Sequence, residues 1–130
     1  MTRKPTTRAK GRPRRAAGMP QGLEAAISAC GERKAVDGVL LDLHQISDAT
    51  DFFLIVSGTS DTHVRAIADH VIASLQEVGV RPYQVEGLSQ GRWVLVDYVD
   101  FVVHVFHPAL RSFYQLEGLW GDAPKRQLTL

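Results

Sequence analysis

The most regular stretch of the chain is residues 60–79. Val64, Ile67, Ala68, Val71, Ile72, Leu75 and Val78 recur at i, i+3, i+4 and i+7 spacing, while Arg65, Asp69, Gln76 and Glu77 face elsewhere. That period predicts an amphipathic helix laid against a sheet. Ser60 or Asp61 can cap its first amides, and Gly79 can stop it. An earlier helix is predicted from Gly22 to Lys34, with Leu23, Ala26, Ile27 and Cys30 at helical spacing. Runs of strand length follow at Val36–Leu43, Asp51–Ser57, Pro82–Glu86, Arg92–Tyr98 and Phe101–Phe106. The Asp51–Ser57 run is almost continuously apolar, as in a strand covered on both faces. A tight turn at Val99–Asp100 makes the last two strands a hairpin, so the sheet is not all parallel. Pro108 suits the first turn of a closing helix that ends near Trp120 and Gly121. The pattern predicts an α/β fold, a mixed sheet of about five strands with helices packed against it.

Length and charge divide the chain further. Its 130 residues fit one domain. No run reaches the ~18 apolar residues of a membrane span, so no membrane partner is expected. Cys30 is the only cysteine, which rules out a disulfide within the chain and reads as a small buried apolar residue. The formal net charge of +1 conceals an asymmetry: residues 1–20 hold seven of the fifteen Lys and Arg and no acid. The remainder holds eight basic and fourteen acidic side chains, a balance of −6. The expected organisation is a disordered basic arm over 1–20, a folded domain over 21–121 and a C-terminal tail over 122–130. Lys and Arg neutralise phosphates without reading sequence, so residues 1–15 suit RNA contact; an inert solvated tail stands level with that reading. A true start at Met19 would remove the arm altogether. An organelle transit peptide is opposed by Pro5, Pro13 and Pro20 and by the missing apolar stripe.

Groups that could carry chemistry do not assemble into a catalytic pattern. Ser57–Asp61, SGTSD, joins a strand to a helix but lacks the lysine and spacing of a phosphate loop and the three glycines of a dinucleotide fingerprint; turn and cap geometry account for Gly58 and Ser60. Asp97 with Asp100, and Asp48 with Asp51, are close pairs without an obvious third metal ligand. His104 and His107 fall on opposite strand faces, and His63 and His70 are two helical turns apart, so packed, capped or solvated histidines are expected rather than a metal cage. No catalytic, cofactor or metal residue is therefore assigned. Asp97 shares a strand face with Trp93 and Leu95; since a carboxylate in a core needs a partner, a solvent-facing or partner-facing edge is expected. Most of Phe52, Phe53, Phe101 and Phe106 should be core. Trp93, Trp120 and Tyr114 together exceed what a core of this size requires, and such residues anchor interfaces.

Four ordered segments carry a resemblance: DFFLIVSGTSDTHVRAIADHVI, then EG, then WVLVDYVDFVVHVF, then RSFYQLEGLW. Together they resemble the ribosomal silencing factor family, RsfS or Iojap, over about residues 22–121. The resemblance implies a fold shaped like nucleotidyltransferases without their catalytic carboxylates, and hence no enzymatic activity. It implies binding to the large ribosomal subunit through that subunit's ribosomal protein fourteen, steric block of subunit joining, and repression of translation in the cytoplasm. Organelle relatives assist large-subunit assembly through the same contact, and a homodimer is implied, with the apolar C-terminal segment as a contact. Matched by position, the binding surface draws on Glu86, Gly87, Trp93, Val94, Asp97, Asp100, Tyr114, Leu116 and Trp120. Val99 stands where the family often has glycine, which affects how the turn aims Asp100. The alternatives are a nucleotidyltransferase-like enzyme working from Ser57–Asp61, and an RNA-binding accessory factor in large-subunit assembly.

Overall fold

The computed structural model describes residues 19–114 and 123–130, with side chains described for all of these except 112–114. At its centre two parallel strands, β2 (Phe52–Ser57) and β5 (Phe101–Phe106), pair residue for residue from Phe52 with Phe101 to Ser57 with Phe106. Beyond β5 lie β4 (Trp93–Asp97) and the edge strand β3 (Gln84–Glu86); beyond β2 lie β1 (Val36–Asp42) and β6 (Lys125–Gln127). These outer pairings are all antiparallel. The mixed α/β sheet is as expected, with six strands instead of about five.

Two helices, α1 (Leu23–Glu32) and α2 (Asp61–Glu77), cover one face of the sheet. Leu23, Ala26 and Cys30 of α1 and Val64, Ile67, Val71 and Leu75 of α2 pack there against Leu54, Val56, Val94, Val96, Val103 and Val105. Burial drives the Cys30 thiol up to about 12, which makes it a core atom and not a nucleophile. The alternate residues Ile55, Phe106, Phe53 and Trp93 point to the other face, where Leu110 of α3 (described over Pro108–Tyr114) joins them. Arg111 of α3 donates to the Ser57 hydroxyl at 2.8 Å and to the Asp37 carbonyl at 2.7 Å, tying α3 to the ends of β2 and β1.

The predicted helix signals act as expected at α2. The Ser60 hydroxyl accepts from the His63 amide at 3.1 Å. At the other end Gly79, with φ +82, donates to Gln76 while Val80 donates to Leu75, a Schellman closure. That closure places Val78 outside the helix as its cap, where it is 53 % exposed and leaves the apolar stripe it was predicted to extend.

The C-terminal residues depart from expectation. Residues 122–130 read as a tail, yet Lys125–Gln127 pairs with Leu41–Val39 as the sixth strand. Leu128 then donates its amide to Gly38, and Leu128 and Leu130 pack against the helix-side core. Gly38 is what admits them: a β-carbon there would stand 2.8 Å from the Leu130 side chain. The sequence hid this strand because all three of its side chains are exposed, so no alternation marks it. Charged side chains on a short outer strand also guard a sheet edge against further pairing. The expected arm lies almost entirely outside the described residues, as does the predicted helix end near Trp120. Removing residues 125–130 should lower stability by about 2 kcal/mol or more, the scale of burying apolar side chains of this kind. A urea titration that shows no change would return these residues to the status of a tail.

Candidate functional site

The face opposite α1 and α2 gathers a cluster of rings around Trp93. The Trp93 ring lies on Phe106 with centroids 4.9 Å apart and planes 29° apart. Its indole N–H donates to Nδ1 of His104 at 3.1 Å, and Phe53 meets the His104 ring edge-on at 4.5 Å. Trp93, Leu95 and Phe53 are half-buried on this face, while His104 and Phe106 are buried beneath. Because an indole nitrogen can only donate, Nδ1 of His104 must hold a lone pair and the imidazole is neutral, with its proton on Nε2. Burial pushes His104 down to about 4, against the opposing pull of the Asp97 carboxylate.

The turn beside this cluster is built tightly. Oδ1 of Asp97 accepts the Val99 amide at 2.8 Å, the Asp100 amide donates to the Tyr98 carbonyl at 2.8 Å, and the Tyr98 amide donates to Phe101 at 2.9 Å. The Asp51 amide in turn donates to the Asp100 carbonyl, which links the turn to the start of β2. Val99 sits at φ +73, a left-handed conformation that costs a β-branched residue strain. A glycine would meet no such cost.

The predicted site residues divide accordingly. Glu86 is exposed on β3, Trp93 is half-buried on the ring cluster and Asp100 is half-buried in the turn. Gly87 is held by geometry: at φ +82, a β-carbon there would run into the Trp93 carbonyl oxygen. Val94 is fully buried on the helix side, so it cannot touch a partner. Strand alternation decides this, since Val94 follows Trp93 and must point the other way. Asp97 is 5 % exposed, and β4 lies between β3 and β5, so the expected solvent- or partner-facing edge is corrected to a buried turn anchor. The Tyr114 backbone belongs to α3 but its side chain is not described, and Leu116 and Trp120 lie outside the described residues. Leu95 shares the Trp93 face as strand alternation predicts, and Phe53 and His104 join it as residues the sequence reading does not assign there, although the period-2 alternation of their strands is an available signal.

The Ser57–Asp61 loop commits polar groups to local hydrogen bonds with the start of α2. The Thr59 amide donates to Nδ1 of His63 at 2.8 Å, and Nε2 of the same ring donates to the Arg33 carbonyl at 2.7 Å. The His63 and Val64 amides go to the Ser60 hydroxyl and carbonyl. A β-carbon at Gly58 would come within 2.9 Å of the Val64 nitrogen, so that glycine serves the close packing of loop on helix. Among the described residues no group of three or more His, Cys, Asp or Glu side chains is placed to hold a metal ion.

The chain matches the family described as "Ribosomal silencing factor during starvation" over residues 16–130. It belongs to the ribosomal silencing factor family. It is 47 % identical over 106 residues to the ribosomal silencing factor RsfS of Bacillus subtilis, covering 82 % of this chain and 90 % of that one. A crystal structure from Bacillus halodurans superimposes with a TM-score of 0.72 at 43 % identity, over 82 % of this chain and 96 % of the other. A more distant relative, the mouse "Mitochondrial assembly of ribosomal large subunit protein 1", is 30 % identical over 101 residues, 75 % of this chain and 44 % of the mouse protein. Among the described residues of this family member, no helix is long and apolar enough to cross a membrane.

His104 gives the face a measurable pH signature. An unfolded chain titrates this imidazole near its ordinary 6.5. Between about pH 6.5 and pH 4 the unfolded state takes up a proton that the folded state refuses. Stability should therefore be intact above about 6.5 and fall on acidification through that window, by up to about 3 kcal/mol. Urea midpoints measured across this range should lose that component of their slope in His104→Leu.

Proposed function

We propose that this silencing factor binds the large ribosomal subunit at its ribosomal protein fourteen and blocks small-subunit joining by occupancy alone, repressing translation in the cytoplasm. The observation that carries the reading is family membership over nearly the whole domain, coupled to a half-buried aromatic face on the side of the sheet away from α1 and α2. Trp93, with Leu95 and Phe53 beside it, supplies apolar area that a partner can desolvate. The acid excess of residues 21–130 favours approach to a cationic ribosomal protein and speeds encounter more than it tightens binding. Glu86 and Asp100 are the acids of the predicted surface that remain accessible at its border. The proposed surface also includes Tyr114, Leu116 and Trp120, as the family resemblance implies. The reading takes the free factor as a homodimer that uses its C-terminal segment.

Catalysis is not required for this action. A nucleotidyltransferase role at Ser57–Asp61 is disfavoured because the Gly58 and Thr59 amides are taken by the Phe106 carbonyl and by Nδ1 of His63. Assistance in large-subunit assembly is a second use of the same surface, favoured by the name of the mouse relative.

Purified protein should sediment with large subunits and lower the yield of joined ribosomes in a sucrose gradient. Trp93→Ala should weaken large-subunit binding by more than ~2 kcal/mol, about thirtyfold, while circular dichroism stays native. Undiminished binding would remove Trp93 from the surface. Residues 1–15 neutralise phosphates of ribosomal RNA in this proposal. Their deletion should make log affinity depend less steeply on log salt, by ~0.7–0.9 for each phosphate that the arm no longer neutralises; an unchanged slope would make the arm a bystander.

A further inference from the structure

We infer that His104 is a positioning residue for the docking face: by accepting the Trp93 indole N–H, it fixes the angle at which that ring meets a partner. The inference rests on the reading of Trp93 as a docking contact. Trp93 projects from β4 toward the face opposite α1 and α2, where a hydrogen bond to its indole N–H gives the ring a directional restraint that ring stacking does not supply. Here the N–H is held at 3.1 Å by His104 while the ring lies on Phe106. His104 is itself immobile: it sits on β5 between Ile55 of β2 and Leu95 of β4, with Phe53 against its edge. The restraint therefore runs from the centre of the sheet out to Trp93. A ring ordered in advance loses less freedom when a partner closes on it, an advantage of roughly three- to tenfold in affinity.

A second observation argues that His104 is more than filling. Its Nε2 is buried and has no hydrogen-bond partner among the described residues. Leaving a buried donor unsatisfied is unfavourable, and an apolar side chain would fill the same volume without that cost. What an apolar side chain cannot supply is the Nδ1 lone pair that holds Trp93. A polar residue with an unused nitrogen is the arrangement expected where only one of its two nitrogens is wanted.

A double-mutant cycle on binding to purified large subunits tests this. Trp93→Phe keeps a ring and removes the N–H. His104→Leu in the otherwise intact chain should weaken binding about three- to tenfold, and His104→Gln, whose carbonyl can accept the indole proton, should recover part of the loss. In the Trp93→Phe background His104→Leu should have no further effect. The Trp93 indole proton resonance, assigned with Trp120→Phe, should move upfield in His104→Leu. Equal loss in both backgrounds would show that His104 acts on the fold at large, and no loss in either would show that it positions nothing; both outcomes overturn the inference while leaving Trp93 in place. Undiminished binding by Trp93→Ala would overturn the docking reading and this inference with it. The cycle is run in parallel with His104→Phe, so that a folding failure of one substitution leaves the other to decide.

Discussion

Everything else in this fold is arranged around the parallel pairing of β2 with β5. Six consecutive residue pairs put two strands, apolar except for Ser57 and His104, at the middle of the sheet. A parallel pair cannot be closed by a short turn, so the chain between them makes a long excursion. It uses that excursion to lay α2 on one face and to add β3 and β4 at the edge before returning. The helix after β5 leaves toward the opposite face. The central pair thereby forces alternate residues of every neighbouring strand into two different environments: a thick helix-covered core and a thinner aromatic layer.

The second layer is where physical chemistry and function converge. Its floor is made of groups that do not meet solvent, His104 and Phe106, and its upper surface of groups that partly do, Trp93, Leu95 and Phe53. Asp97 is a member of this face by alternation but spends its carboxylate on the turn that precedes β5. The electrostatic contribution to docking is thus left to acids at the border. That division suits a protein whose proposed task is occupancy: a rigid apolar centre resists release, and a charged surround governs approach.

Much of this was legible in the sequence where periodicity is strong. The α2 stripe, its Ser60 cap and Gly79 stop, and the apolar strands β2 and β5 all follow from spacing and capping chemistry. The two faces of β4 were legible too, and they show why a resemblance carried residue by residue must be filtered through geometry: adjacent Trp93 and Val94 cannot serve the same partner. What was not legible had no local signal. β6 consists of three exposed polar residues whose pairing depends on β1, far away in sequence. The burial of Asp97 depends on a turn whose shape Val99 disguises, since a left-handed backbone is seldom inferred from a valine. The partnership of Trp93 with His104 spans a strand pairing that only the folded sheet creates.

The strict alternation of β4 has a consequence for how such a face can change over time. Substitution can retune it one side chain at a time, since each outward position varies without disturbing the helix-side core. A single inserted or deleted residue within the strand is different in kind. It would turn Trp93 and Leu95 inward and bring Val94 and Val96 to the surface, replacing the face with its complement and spoiling the core in the same event. Changes of chain length around this surface are therefore channelled into the loop between Gly87 and Arg92, ahead of the strand. The face can drift in composition, but in register it is all or nothing.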